Sequence, residues 1–176
     1  MRSRTLALTL LALVALASAG AAQDTELKPH TSTAGKYKAA FPGTVKTAVT
    51  EVPAGKDKLK LTLDVVELKG DISFTVGYVD VSPEVAKLPP GPRLEKVRDG
   101  NKGPNGKIVS DTEITLRSGD EKFPGRDVLI ETPGGHIRNR MVIVGPRLYQ
   151  VVVQGSKDVV TSPTADKFIN SFEITP

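Results

Sequence analysis

The chain has 176 residues, with 24 Lys and Arg against 20 Asp and Glu, and no cysteine. The missing cysteine excludes disulfides, thiol nucleophiles and zinc–thiolate sites together, so packing must supply the stability. Arg2 and Arg4 belong to the leader described next; without them 22 basic residues face 20 acidic ones, too even a balance to argue for nucleic acid or an anionic membrane surface.

Residues 1–22 have the three parts of a secretory signal peptide. Arg2 and Arg4 make a positive start, residues 6–17 are apolar, and the small residues from Ala17 to Ala22 follow. The apolar run is too short for a bilayer span, which needs about 20 residues. Cleavage is expected after Ala22, with Ala19 and Ala21 as the other small-x-small sites. No cysteine stands at the cut to take a lipid, so the expected product is released into a periplasm or secreted, with no membrane anchor. Residues 23–36 are polar, carry Pro29, and read as a flexible lead-in.

From Tyr37 the apolar residues alternate with period two, the pattern of half-buried strands. Tyr37, Ala39 and Phe41 make a first strand that Pro42-Gly43 ends. Residues 45–52 make a weaker second one, ended by Pro53-Ala54-Gly55. Leu59, Leu61, Leu63 and Val65 alternate with polar residues, and Gly70-Asp71 turns them into Ile72, Phe74, Val76 and Tyr78, a hairpin. Residues 82–92 hold four prolines, unsuited to a helix interior or a central strand. A short helix is predicted over 93–99 through Leu94 and Val97, with Gly100 at its end, then a loop to Gly106 and a strand over 108–116. Further strands are predicted over 126–132, 136–144 and 147–154. Pro133-Gly134-Gly135 and Gly145-Pro146 connect them, the second as a type II′ turn. Ser162 caps a final helix that begins with Pro163 and turns Ala165, Phe168, Ile169 and Phe172 to one side; residues 171–174 add a short strand.

Seven or eight strands joined mainly by hairpins, with two helices, make an α+β domain around an antiparallel sheet, one domain over residues 37–176. The late strands are apolar on both faces: Val142, Val144, Tyr149, Val151 and Val153 on one, Ile137, Met141, Ile143, Leu148 and Val152 on the other. Each face therefore needs cover, from the last helix on one side and from the earlier helix or the long loops on the other.

No catalytic constellation emerges. His30 falls in the lead-in without a partner, and His136 lies at a hairpin mouth. There is neither a Gly-x-Ser-x-Gly elbow nor a His-Glu-x-x-His pair. Asp120-Glu121 reads as a solvated turn, not a calcium loop. The stretch 100–107 has five residues between Gly100 and Gly106 where a phosphate-binding loop has four, and Ile108 where it needs Ser or Thr. No metal or cofactor is expected, and the chain reads as a non-enzyme. The one suggestive group is basic: Arg126, His136, Arg138, Arg140 and Arg147. His136, Arg138 and Arg140 share a strand face. Pairing Glu131 with His136 sets Asp127 opposite Arg140 and Leu129 opposite Arg138. Opposed charges of this kind stabilise sheets. Arg138 has no counter-charge in that register, which keeps open an anionic ligand or acidic partner.

Between Tyr37 and Ile174 the chain resembles the PsbP-like family, the fold of the photosystem II extrinsic subunit, of a Ran-binding nuclear protein and of many exported bacterial domains. The resemblance rests on Phe41-Pro42-Gly43, Pro124-Gly125-Arg126-Asp127, Arg138 and Arg140, Arg147-Leu148-Tyr149, and Phe168-Ile169-Asn170-Ser171-Phe172. It implies an antiparallel sheet between helices, an α/β/α sandwich, and a role as an assembly factor, extrinsic subunit or partner-binding module without a shared catalytic mechanism. The function expected is that of an exported, non-catalytic module binding a protein or envelope component, by the arginine-bearing sheet or the proline-rich loop. The alternative is a small-ligand or lipid carrier with a cavity between sheet and helix.

Overall fold

A computed structural model describes residues 26–54 and 57–176. The signal peptide expected over residues 1–22 lies outside the described residues. Ten strands run β1 (Lys28–Ser32), β2 (Tyr37–Phe41), β3 (Lys46–Ala54), β4 (Asp57–Leu68), β5 (Ile72–Asp80), β6 (Lys107–Ser118), β7 (Glu121–Thr132), β8 (Gly135–Val144), β9 (Arg147–Gly155) and β10 (Glu173–Ile174). Four helices join them: α1 (Pro83–Ala86), α2 (Pro90–Lys102), α3 (Lys157–Val160) and α4 (Pro163–Asn170).

Seven strands form one antiparallel sheet in the order β3-β4-β5-β9-β8-β7-β6, and β1-β2-β10 form a small second sheet. The α+β architecture read from the sequence is the one observed. The predicted hairpin register is also observed, with Glu131 opposite His136, Leu129 opposite Arg138 and Asp127 opposite Arg140. Gly145 takes the positive φ of 57° that its turn requires.

The two faces of the large sheet have separate cores. On the inner face, Phe74, Val76, Tyr149, Val151 and Val153 pack against Tyr37, Ala39 and Phe41 of β2, Ala165, Phe168 and Ile169 of α4, and Phe172. On the outer face, Val79, Val128, Ile130, Met141, Ile143 and Leu148 pack with Leu94, the one buried side chain of α2.

Four expectations are corrected. Residues 28–32 of the expected flexible lead-in form a strand: β1 pairs with β2 from Lys28–Phe41 to Ser32–Tyr37. Its sequence Lys-Pro-His-Thr-Ser shows no alternation, and Pro29 is tolerated because β1 is an edge strand. The proline-rich stretch holds two helix starts, with Ser82 capping α1 and prolines in the first turns of α1 and α2, where no intrahelical amide is needed. The predicted short helix thus runs on to Lys102 with Gly100 inside it, and Gly103 ends it at φ 62°. The loop beyond is not loose: a Cβ at Gly106 would lie 2.1 Å from the Lys102 carbonyl oxygen, so only glycine fits where α2 meets β7.

Candidate functional site

The five basic residues do not converge. Arg126 lies on the outer face, while Arg138 and Arg140 lie on the inner face beneath α4. Arg147 stands at the far end of β9, and His136 is half-buried at the β7–β8 hairpin mouth, beside Glu131 and Gly155 in the ladder. Each arginine is engaged within the chain. Arg126 Nη1 donates to Asp111 Oδ2 at 2.6 Å and its Nη2 to Glu113 Oε1 at 2.9 Å. Arg98 of α2 donates to the same Asp111 oxygen at 2.8 Å, which ties the helix to the sheet.

The pairing of Arg138 corrects the expectation that it lacks a counter-charge. Its Nη1 donates to Asp166 Oδ1 at 2.5 Å and its Nε to Asp127 Oδ1 at 3.5 Å. Arg140 Nη2 donates to Asp127 Oδ2 at 2.8 Å, and its Nη1 reaches the Ile169 carbonyl and Asn170 Oδ1 at the end of α4. A cation at a helix C-terminus also complements the helix dipole. Arg147 grips Asp80 with two hydrogen bonds of 2.6 Å and lies 4.8 Å from the Tyr78 ring centre. Arg147 holds the Asp80 carboxyl below the usual carboxylate range. The guanidiniums are therefore clasps between elements. Replacing Arg138 and Arg140 together by alanine should lower the unfolding free energy by about 2–3 kcal/mol, read from urea denaturation, because charge-assisted bonds from partly buried groups are lost.

A second polar cluster was not foreseen. Asp64 of β4 is only 2% exposed. Its Oδ2 accepts from the Tyr37 hydroxyl at 2.5 Å and lies 3.3 Å from His30 Nε2, and its Oδ1 accepts from Thr47 at 2.5 Å. Burial alone would raise the Asp64 carboxyl, but the bonds from Thr47, Tyr37 and His30 hold it below the usual range. Burial, with the carboxylate next to it, pushes the Tyr37 hydroxyl far up. A proton-donating phenol and an anchored carboxylate inside a packed core offer no nucleophile to solvent. The cluster instead fastens β1 and β2 to the large sheet. His30 had no visible partner in the sequence because 34 residues separate it from Asp64.

The volume between sheet and α4, where a carrier would hold its ligand, is filled. Phe168 packs with its ring centre 5.0 Å from Phe41 and 5.3 Å from Phe74, and Phe172 lies 5.4 Å from Tyr149. Among the described residues, no group of three or more His, Cys, Asp or Glu is placed to hold a metal ion. The outer face is less complete. Helix α2 lies over β7 and β8. On the same face Leu63 and Val65 of β4, Thr75 of β5 and Val152 of β9 are only half-buried. Cross-strand neighbours bring them together, Val65 opposite Thr75 and Thr75 opposite Val152. The cover expected from α2 and the long loops thus reaches one end of the sheet.

No family model and no curated protein matches the chain. Among solved structures it is similar to the solution structure of cyanobacterial PsbP (CyanoP) from Synechocystis sp. PCC 6803. The two are 14% identical, and the match covers 90% of this chain and 98% of that one at a TM-score of 0.48. That name belongs to the family the sequence resembles.

Proposed function

We propose that the chain is an exported, non-catalytic module that binds a protein or envelope component through the uncovered part of its outer sheet face. The observation that carries this is the half-buried row Val65, Thr75 and Val152, with Leu63 beside it, on a face where α2 covers β7 and β8 instead. Apolar sheet surface left partly in water is a recurrent mark of an interaction site. Export follows from the signal peptide read at residues 1–22, which delivers the domain to a periplasm or beyond. Among the described residues no helix is long and apolar enough to cross a membrane. The arginines stay out of this surface because acidic partners in the chain already hold them.

The test compares the chain from residue 23 onward with a Val65→Lys/Val152→Glu variant, which keeps the net charge and whose long stems can lie along the sheet. Both are immobilised and exposed to the detergent-solubilised envelope of the producing cells. The wild type should retain a discrete component that the variant, melting at the same temperature, retains at least about tenfold less. Equal retention by both, or none by the wild type, would overturn the reading.

A further inference from the structure

We infer that β6 pairs with β6 of a second copy of this chain, joining the two large sheets edge to edge about a two-fold axis through Thr115. Strand β6 is an edge of the seven-stranded sheet. Such an edge presents a row of free backbone donors and acceptors unless something blocks it. Its first half is blocked: the register slips between Ile108 and Ser110, and Val109 stands out, 46% exposed. From Thr112 to Ser118 the pairing with β7 is regular, so this half offers a straight edge.

The side chains of that half are complementary to themselves. With Thr115 on the axis, Glu113 stands opposite Arg117 of the other copy and Ile114 opposite its Leu116, each pair occurring twice. Residues of one parity share a face, so the charged pairs fall on the outer face and the apolar pairs on the inner one. Moving the axis to Ile114 would put Glu113 opposite Thr115, and Arg117 opposite an Asp111 that Arg98 and Arg126 already hold.

Two further observations point to an occupant. Arg117 is directly opposite Lys122 within its own hairpin, a like-charge pair that costs stability unless an acid approaches. The Glu113 side chain, 80% exposed, is free to be that acid on the other copy while still touching Arg126. A cleft also flanks β6 on each face, about 370 Å³ on the inner side with Thr112, Ile114 and Leu129, and about 290 Å³ on the outer side with Leu94, Glu113 and Thr115. An added strand sends alternate side chains to the two faces, so Leu116 of the second copy would border the inner cleft and its Arg117 the outer one.

Sedimentation of the chain from residue 23 onward, over a wide concentration range, tests the pairing. Wild type should self-associate. Arg117→Glu alone, or Glu113→Arg alone, should weaken association at least about tenfold by opposing like charges. The double variant E113R/R117E should restore it, and mixing the two single variants should yield a heterodimer. Among the described residues Arg117→Glu breaks no ion pair and removes the like-charge contact with Lys122, so misfolding does not account for its effect. Independently, because the chain has no cysteine, Thr115→Cys should oxidise to a linked dimer much faster than Val109→Cys: directly opposed residues of antiparallel strands lie within disulfide reach. A wild type that stays monomeric to about 1 mM, the regime of the weakest specific contacts, would overturn the inference. So would single variants that associate as wild type does, or a Thr115→Cys chain that links no faster than the control.

Discussion

Phe168→Ala should lower the unfolding free energy by about 3–5 kcal/mol, the range for emptying a buried phenylalanine site. Phe168 is fully buried and is the residue through which α4 enters the inner core, edge-on to both Phe41 and Phe74. Aromatic geometry adds about 1 kcal/mol per pair beyond the area buried. Helix α4 has eight residues, too few to persist alone in water, so it depends on this anchor, on Ala165 and Ile169, and on the arginine clasps. Collapse of the cavity is resisted from two sides, by β2 and by β5. Urea denaturation at neutral pH measures the loss. Phe168→Leu, which refills most of the volume, should recover more than half of it. A loss below about 1 kcal/mol for the alanine variant, the size of an ordinary surface change, would mean that α4 is not held as described.

Asp64→Ala should cost about 3 kcal/mol or more. Removing one member of a buried charged network strands the others. Tyr37, wholly buried, would lose the acceptor of its hydroxyl, and Thr47 and His30 would lose theirs. Asp64→Asn keeps the shape and two of the contacts without the charge, and should cost less than the alanine change. The pH dependence follows from the depressed carboxyl. A carboxyl whose folded value lies below its unfolded one, near 4, contributes stability that is complete above about pH 4 and is lost as pH falls through the folded value. Wild type should therefore lose more stability than Asp64→Asn between about pH 5 and pH 2.5, and the two should run parallel above. Other acids, such as Asp80 beside Arg147, titrate in both proteins and cancel in the difference. Parallel curves down to low pH would remove the charge of Asp64 from the account.

Much of this fold is legible in the sequence because its signals are local. Leu59 to Val65 and Ile72 to Tyr78 alternate cleanly around Gly70-Asp71, and the structure pairs them from Leu68–Ile72 to Leu61–Val79. Ser162 and Pro163 locate the start of α4 to the residue, and Ala165, Phe168 and Ile169 its buried side, whereas the helix stops at Asn170, short of the Phe172 that the spacing also placed on it. What stayed hidden depends on distant partners. Strand β1 is recognisable only through β2 and Asp64, since nothing in Lys-Pro-His-Thr-Ser selects a strand. Asp166, the partner of Arg138, lies 28 residues further along and on another element, so sheet register alone shows Arg138 facing Leu129. The prolines of residues 82–92 read as breakers, although Pro83 and Pro90 stand where helices accept them. The arginine group stands out in the sequence by charge, and its partners turn it from a candidate site into a set of clasps. The half-buried outer row stands out only once the reach of α2 is known, because Val65 and Val152 look like any other core valine.

The arginines hold the fold, and the open outer face is the surface proposed for binding. One assay reading melting temperature and envelope retention together, on R138A/R140A and on V65K/V152E, tests both halves. R138A/R140A should melt well below wild type yet retain the same component at a temperature where it is folded, and V65K/V152E should melt normally and retain little. An arginine variant that melts as wild type does and loses the component, beside a valine variant that keeps it, would place the binding surface on the arginines and not on the outer face.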